Sequence, residues 1–175
     1  MAGQLCEELG SRLPAMPVSL RRTGFAGHGR ALACERSSSG RPLIVSVSGD
    51  GGYNEVINGV VDAGGNAVCA VLTGGNANDH WRSTRRMPLI EAIVAGEVRR
   101  FDLLRLQVAE GPEAWSRYAH SYIGFGLTPA IAIGIEGGTK GVLSELVSVV
   151  LPFQASHPLR SRVRTVPPPS STAFC

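Results

Sequence analysis

The chain has 175 residues, which bounds it to one full domain, or one domain with part of another. An apolar share of 43% is ordinary for a globular protein with a sizeable core, and no apolar run approaches the ~18 residues that a membrane-spanning helix needs. The net charge of +3 demands no nucleic acid, though it suits an anionic membrane surface or an anionic substrate.

The spacing of Leu5, Cys6, Leu9 and Leu13 predicts a helix over Gln4–Leu13, which Pro14 and Pro17 end. Acidic Glu7 and Glu8 fall where a signal peptide would be apolar, so none is expected. Val18–Arg22 alternates enough to predict a strand, and Thr23–His28 turns into a second helix, about His28–Glu35. Ser37–Gly40 is a polar loop, and Pro42 introduces the apolar, β-branched run Leu43-Ile44-Val45-Ser46-Val47.

That strand runs into Ser48-Gly49-Asp50-Gly51-Gly52 and then into an amphipathic segment carrying Val56, Ile57, Val60 and Val61. Strand, glycine turn and helix start is an arrangement suited to anions. The first amides of a helix lack intrahelical acceptors, and its dipole adds positive potential there. Gly49, Gly51 and Gly52 allow close approach of a phosphate, and Asp50 offers Mg²⁺ the hard oxygen it takes beside phosphate oxygens. A plain glycine turn with Asp50 as helix cap explains the same residues equally well.

Asp62–Asn66 ends the helix, and Val68–Leu72 is the next strand. A second loop follows, Thr73-Gly74-Gly75-Asn76-Ala77-Asn78-Asp79-His80-Trp81-Arg82, again at a strand's carboxyl end, where open α/β sheets collect ligands. An Asn/Asp/Gly turn with a helix cap is the simpler reading of this loop taken alone. Pro88–Val98 predicts a helix with Leu89, Ile90, Ile93 and Val94 inward. Leu103–Ala109 and Tyr118–Ile123 predict two strands about a turn at Glu110–Glu113. Gly137–Gly141 misses the spacing of a P-loop, and Leu143–Phe153 predicts a further helix.

The alternation of helix and strand predicts an α/β fold with a parallel sheet. Arg160, Arg162 and Arg164 predict a solvated strand face, and Val166–Cys175, with its three prolines, a disordered tail. Cys6, Cys34, Cys69 and Cys175 are scattered, which fits thiols in a reducing, cytoplasmic compartment rather than a disulfide framework or zinc site. The four histidines form no metal-ligand pattern.

Ser48-Gly49-Asp50-Gly51-Gly52 with Asn54-Glu55-Val56-Ile57-Asn58-Gly59 resembles the diacylglycerol kinase catalytic-domain family, whose signature is a GGDGT loop and a helix beginning xNEVxNG. That family includes bacterial lipid kinases and the sphingosine and ceramide kinases. Ser48 stands where glycine is usual, and Gly52 where threonine is usual, which removes a hydroxyl. Gly75, Asn78, Asp79 and Arg82 match the family's PxGTxNDFAR motif, while Thr73, Asn76, His80 and Trp81 depart from it. Gly27-His28, Arg100 with Asp102, and Gly124-Phe125-Gly126 with Ala130 resemble further family segments in the same order.

The resemblance implies a three-layer, parallel-sheet nucleotide-binding domain over residues 1–102 and the start of a smaller, mostly β domain over 103–165, with the tail at 166–175. It implies ATP and Mg²⁺ as cofactors, a lipid hydroxyl as acceptor and peripheral contact with a membrane. It implies catalytic roles for Asp50 and Asp79, metal binding by Asp50, and nucleotide contacts from Gly49, Asp50, Gly51, Gly52, Asn54, Gly75, Asn76 and Asn78. The family also has a strand before the first helix, and a C-terminal half with a candidate base in an Asp-Gly-Glu-like turn. Neither is found here, so a shortened or misassigned start is expected. Three functions remain open: a lipid kinase, a truncated and inactive paralogue that binds nucleotide or a partner, and an NAD kinase, which shares the GGDG loop.

Overall fold

The computed structural model describes residues 1–108 and 115–123 and the backbone of Ala173–Phe174. The expectations placed on 109–114 and 124–172, including the glycine loop at 137–141 and the helix at 143–153, lie outside the described residues. The chain divides into two compact units, Met1–Ser121 with Pro168–Cys175, and Tyr122–Pro167. The first unit carries every element below. Residues 103–121, expected to open the second domain, belong to it.

The fold is mixed α/β with a parallel strand pair at its centre. Strand β1 (Leu43–Ser48) pairs in parallel with β2 (Val68–Thr73) in unbroken register, from Leu43 opposite Val68 to Ser48 opposite Thr73. Successive side chains of a strand point to opposite faces, and β1 obeys this. Leu43, Val45 and Val47 join Leu5, Leu9 and Ile93 in one apolar cluster, and Ile44 packs on another built from Ala33, Tyr53, Val56, Ile57, Val60, Cys69 and Val71. Leu5 and Leu9 come from helix α1 (Ala2–Arg12), and Ile93 from helix α5 (Leu89–Val94). The second cluster is covered by helices α2 (His28–Ser37) and α3 (Asp50–Asp62).

Helix α3 is the spine of the unit. Tyr53, Val56, Ile57 and Val60 put its apolar stripe on the sheet, while Gly59 faces α2 so closely that a Cβ there would lie 2.1 Å from the Arg30 carbonyl oxygen. Glu55 reaches from α3 to the start of α2 and accepts from the amides of Gly27 (2.8 Å) and Gly29 (3.1 Å). Helix α2 has no side-chain cap of its own, so this carboxylate satisfies two of its orphan donors. Arg30 and Asp62 close the far end at 2.6 Å. Helix α3 ends where Gly64, at φ 94°, and Gly65 return hydrogen bonds to Val61 and Val60, a glycine-dependent stop.

Helix α5 is shorter than the predicted Pro88–Val98. Gly96 adopts φ 67° and, with Glu97, turns back onto Ile93 and Ala92, so the helix stops at Val94. Val18–Arg22 is not a strand. Its residues are exposed and irregular, because alternation is local whereas a strand needs a neighbouring edge to accept its hydrogen bonds. The second loop runs into a short helix, α4 (Asp79–Thr84), where the simpler sequence reading placed a turn with a helix cap.

The hairpin of β4 (Leu104–Val108) and β5 (Trp115–Ala119) forms a second, two-stranded sheet. It is tied to α3 through Asn58, 4% exposed, which accepts from the Tyr118 amide (2.9 Å) and donates to the Tyr118 carbonyl (2.8 Å). In the expected disordered tail, Ala173–Phe174 forms a two-residue strand, β6. It joins β2 to β3 (Arg99–Arg100), giving the sheet order β1-β2-β6-β3. For these two residues the expectation is corrected: backbone groups at the edges of β2 and β3 supply the partners that composition does not reveal.

Candidate functional site

Both glycine loops leave the carboxyl ends of β1 and β2, and the parallel register sets them side by side. They touch through backbone. A Cβ on Gly75 would lie 2.6 Å from the Gly49 Cα, so neither position has room for a side chain without parting the loops. Asn78 shapes the second loop by gripping Gly75, donating to its carbonyl (2.6 Å) and accepting from its amide (3.2 Å). This puts Asn78 at φ 52°, a left-handed geometry that asparagine tolerates better than most residues.

Asp50 is the bridge. Its carboxylate accepts from the amides of Asp79 (3.0 Å) and His80 (3.3 Å), capping α4 from 29 and 30 residues away. The same residue opens α3, where the amides of Asp50, Gly51 and Gly52 precede the first intrahelical hydrogen bond, Tyr53 to the Gly49 carbonyl. The structure thus brings together Gly49, Asp50, Gly52, Gly75, Asn78 and Asp79. Gly51 and Asn76 lie exposed on their loops. Asn54 is half-buried on the first turn of α3, and its Oδ1 has no hydrogen-bond partner among the described residues.

Behind Asp50 stands a pair of histidines that sequence spacing does not bring together. His80 and His120, forty residues apart in sequence, meet edge to face at 4.9 Å between ring centres, with Tyr53 packed on both. His120 Nε2 lies 3.2 Å from the Asp50 carbonyl, which only accepts, so Nε2 carries the proton and Nδ1 accepts from Ser121 Oγ at 2.7 Å. Burial lowers the His120 pKa, against the raising effects of Asp50 and Asp79. His80 is only 5% exposed, and its Nε2 finds no partner among the described residues. Burial, and then His120, push its pKa down to about 4. Its position where the family has phenylalanine was the one available signal. No group of three or more His, Cys, Asp or Glu among the described residues is placed to hold a metal ion by itself. A concave space beside α4 is lined by His80, Trp81, Arg85, Arg99 and Phe101.

His80 makes stability pH-dependent in a defined sense. Its folded-state pKa of about 4 is below the unfolded value of 6.5, so the unfolded chain binds more protons between them. Stability therefore falls as pH drops through that window. Urea unfolding of wild type and His80→Phe at pH 7.5 and 5 checks this. The variant is expected to be more stable by about 1 kcal/mol at pH 7.5, through loss of a buried unpaired nitrogen, and to lose less on acidification. An equal loss in both proteins would assign the acid sensitivity to other groups.

Fold and loops define an α/β protein in which the glycine loops of two adjacent parallel strands meet at a helix N-terminus. The model of the diacylglycerol kinase catalytic domain matches residues 2–106, and the chain belongs to that family. Two proteins of Staphylococcus aureus, from strains MSSA476 and MW2 and each bearing the name "Putative lipid kinase", are 25% identical to it over 108 residues. The match covers 59% of this chain and 33% of each of theirs, so the chain spans about a third of the length of these relatives. No solved structure matches it. Among the described residues no helix is long and apolar enough to cross a membrane.

Proposed function

We propose that the chain is the nucleotide-binding part of an ATP-dependent lipid kinase that phosphorylates a lipid hydroxyl, of diacylglycerol or sphingoid type. The observation that carries this is the closure of the two glycine loops on each other, with Asp50 joining them beside three amides that precede the first intrahelical bond.

The residues present fit a phosphate group. Gly49 and Gly75 let the two loops close backbone on backbone, and the helix dipole of α3 favours negative charge at this end. The amides of Gly49, Asp50, Gly51 and Gly52 would hold phosphate oxygens. Asp50 would hold Mg²⁺ together with those oxygens, each carboxylate oxygen keeping a lone pair beyond the amide it accepts. Asn54 Oδ1, Gly75, Asn76 and Asn78 would line the cleft, and Asp79 would add a second carboxylate. Bound MgATP supplies the transferable phosphoryl group. The protein's part is then positioning and charge neutralisation, which dominate this chemistry. The apolar clusters on both faces of β1 support a three-layer domain. The acceptor would be met at a membrane surface, from the cytoplasm, by peripheral contact.

One observation favours the second reading, an inactive paralogue: both Asp50 oxygens already serve as caps for α4. Labelled-phosphate transfer from MgATP into a total lipid extract separates the two. A labelled lipid that appears with wild type and vanishes with Asp50→Asn supports the kinase. Folded protein that binds MgATP but labels nothing supports the paralogue, and labelled NADP formed when NAD is added as acceptor would replace both readings with an NAD kinase.

A further inference from the structure

The two loop positions that depart from the family signature, Ser48 and Gly52, are in contact with each other. A Cβ built on Gly52 would lie 2.7 Å from both Cβ and Oγ of Ser48, a separation that Cβ atoms essentially never show. Ser48 cannot give way easily. It is the last residue of β1, held in register opposite Thr73, and its Cβ is fixed to the strand backbone. Its Oγ is further held by two neighbours, Ser46 Oγ at 2.6 Å and the Gly49 carbonyl at 3.0 Å. With a serine at 48, only glycine fits at 52.

The Gly49 carbonyl is the point of interest. It accepts from the Ser48 hydroxyl and also from the Tyr53 amide, the first intrahelical bond of α3. Two donors on one oxygen turn that peptide group inward. The amides of Asp50, Gly51 and Gly52 follow directly on that held peptide group and precede the first intrahelical bond. Ser48 is also the only hydroxyl in the five-residue loop.

We propose that Ser48 is the positioning residue of the phosphate loop and that Gly52 is the space its side chain needs. On this account the two departures are one exchange: the hydroxyl reaches the inner side of the α3 N-terminus from residue 48 instead of residue 52. The proposal rests on the nucleotide-binding reading above for its functional half. The steric half stands on the geometry alone.

The test compares the wild-type chain with Gly52→Ala, Ser48→Gly/Gly52→Ala and Ser48→Gly/Gly52→Ser. Two quantities are read for each, the urea unfolding midpoint and the Kd for MgATP by calorimetry. Gly52→Ala alone is expected to lower the midpoint and to weaken MgATP binding at least tenfold. Removing the Ser48 side chain as well is expected to restore the midpoint but leave binding about tenfold weak, since the carbonyl has lost its tether. Ser48→Gly/Gly52→Ser returns a hydroxyl to the same place and is expected to recover both.

A Gly52→Ala protein as stable as wild type would overturn the steric pairing. Wild-type affinity in Ser48→Gly/Gly52→Ala would overturn the role of the hydroxyl. Wild type that binds no MgATP, with the stability pattern as expected, would overturn both the nucleotide reading and the positioning role, and leave only the steric pair.

Discussion

Gly59→Ala is expected to destabilise the protein by about 3 kcal/mol, at the upper end of what overpacking usually costs. The added methyl would sit 2.1 Å from the Arg30 carbonyl oxygen and 2.9 Å from the Ala33 Cβ. Neither can yield on its own, because Arg30 and Ala33 belong to the backbone and core face of α2. The two helices must separate. Separation would strain the Glu55 contacts with Gly27 and Gly29 and the Arg30–Asp62 pair, and it would open the cluster around Val56 and Val60. A small domain holds only about 5–15 kcal/mol in total, so a loss of this size removes a large share of it and should lower the urea midpoint clearly. Urea unfolding followed by circular dichroism measures it. A midpoint unchanged from wild type would mean that α2 and α3 do not approach so closely at Gly59.

Asp50→Ala is expected to abolish phosphate transfer, by at least 100-fold, and also to cost about 1–3 kcal/mol of stability. The second effect follows from geometry. Without the carboxylate, the half-buried amides of Asp79 and His80 lose their acceptor and α4 loses its cap. Asp50→Asn separates the two roles. It retains one oxygen to accept an amide, so its stability loss should be smaller. It removes the negative charge, so its loss of transfer should match that of the alanine variant. The paired measurements are the urea midpoint and labelled-phosphate transfer. Transfer by Asp50→Asn within twofold of wild type would confine Asp50 to capping.

How legible all this was in the sequence depends on the range of the interactions. The path β1, glycine loop, α3 was readable because each part is set by local pattern: a β-branched run, three glycines in five residues, then a 3.6-residue apolar period. Helix α4 was not. Asp79–Thr84 has no apolar period, and its cap is Asp50, which belongs to a different loop. The His80–His120 pair is likewise a product of folding, since the hairpin that carries His120 docks through Asn58. Val18–Arg22 shows the reverse error: the alternation is real, but strand formation depends on a partner edge that a local pattern does not contain. The loss of the loop's threonine reads as a defect in sequence and as half of a matched pair once Ser48 is placed beside it.

The segment from Glu55 to Gly59 divides labour with the loop before it. Glu55 serves the start of α2, Asn58 serves Tyr118, and Gly59 admits the backbone of α2. Each of the three positions holds another piece of chain in place. Selection for a folded protein is therefore enough to keep them, whatever becomes of the chemistry. If the proposed phosphate transfer were lost, Glu55, Asn58 and Gly59 would still be needed to fold. Asp50 would then be free to become asparagine, which keeps an oxygen to cap α4 and drops only the charge.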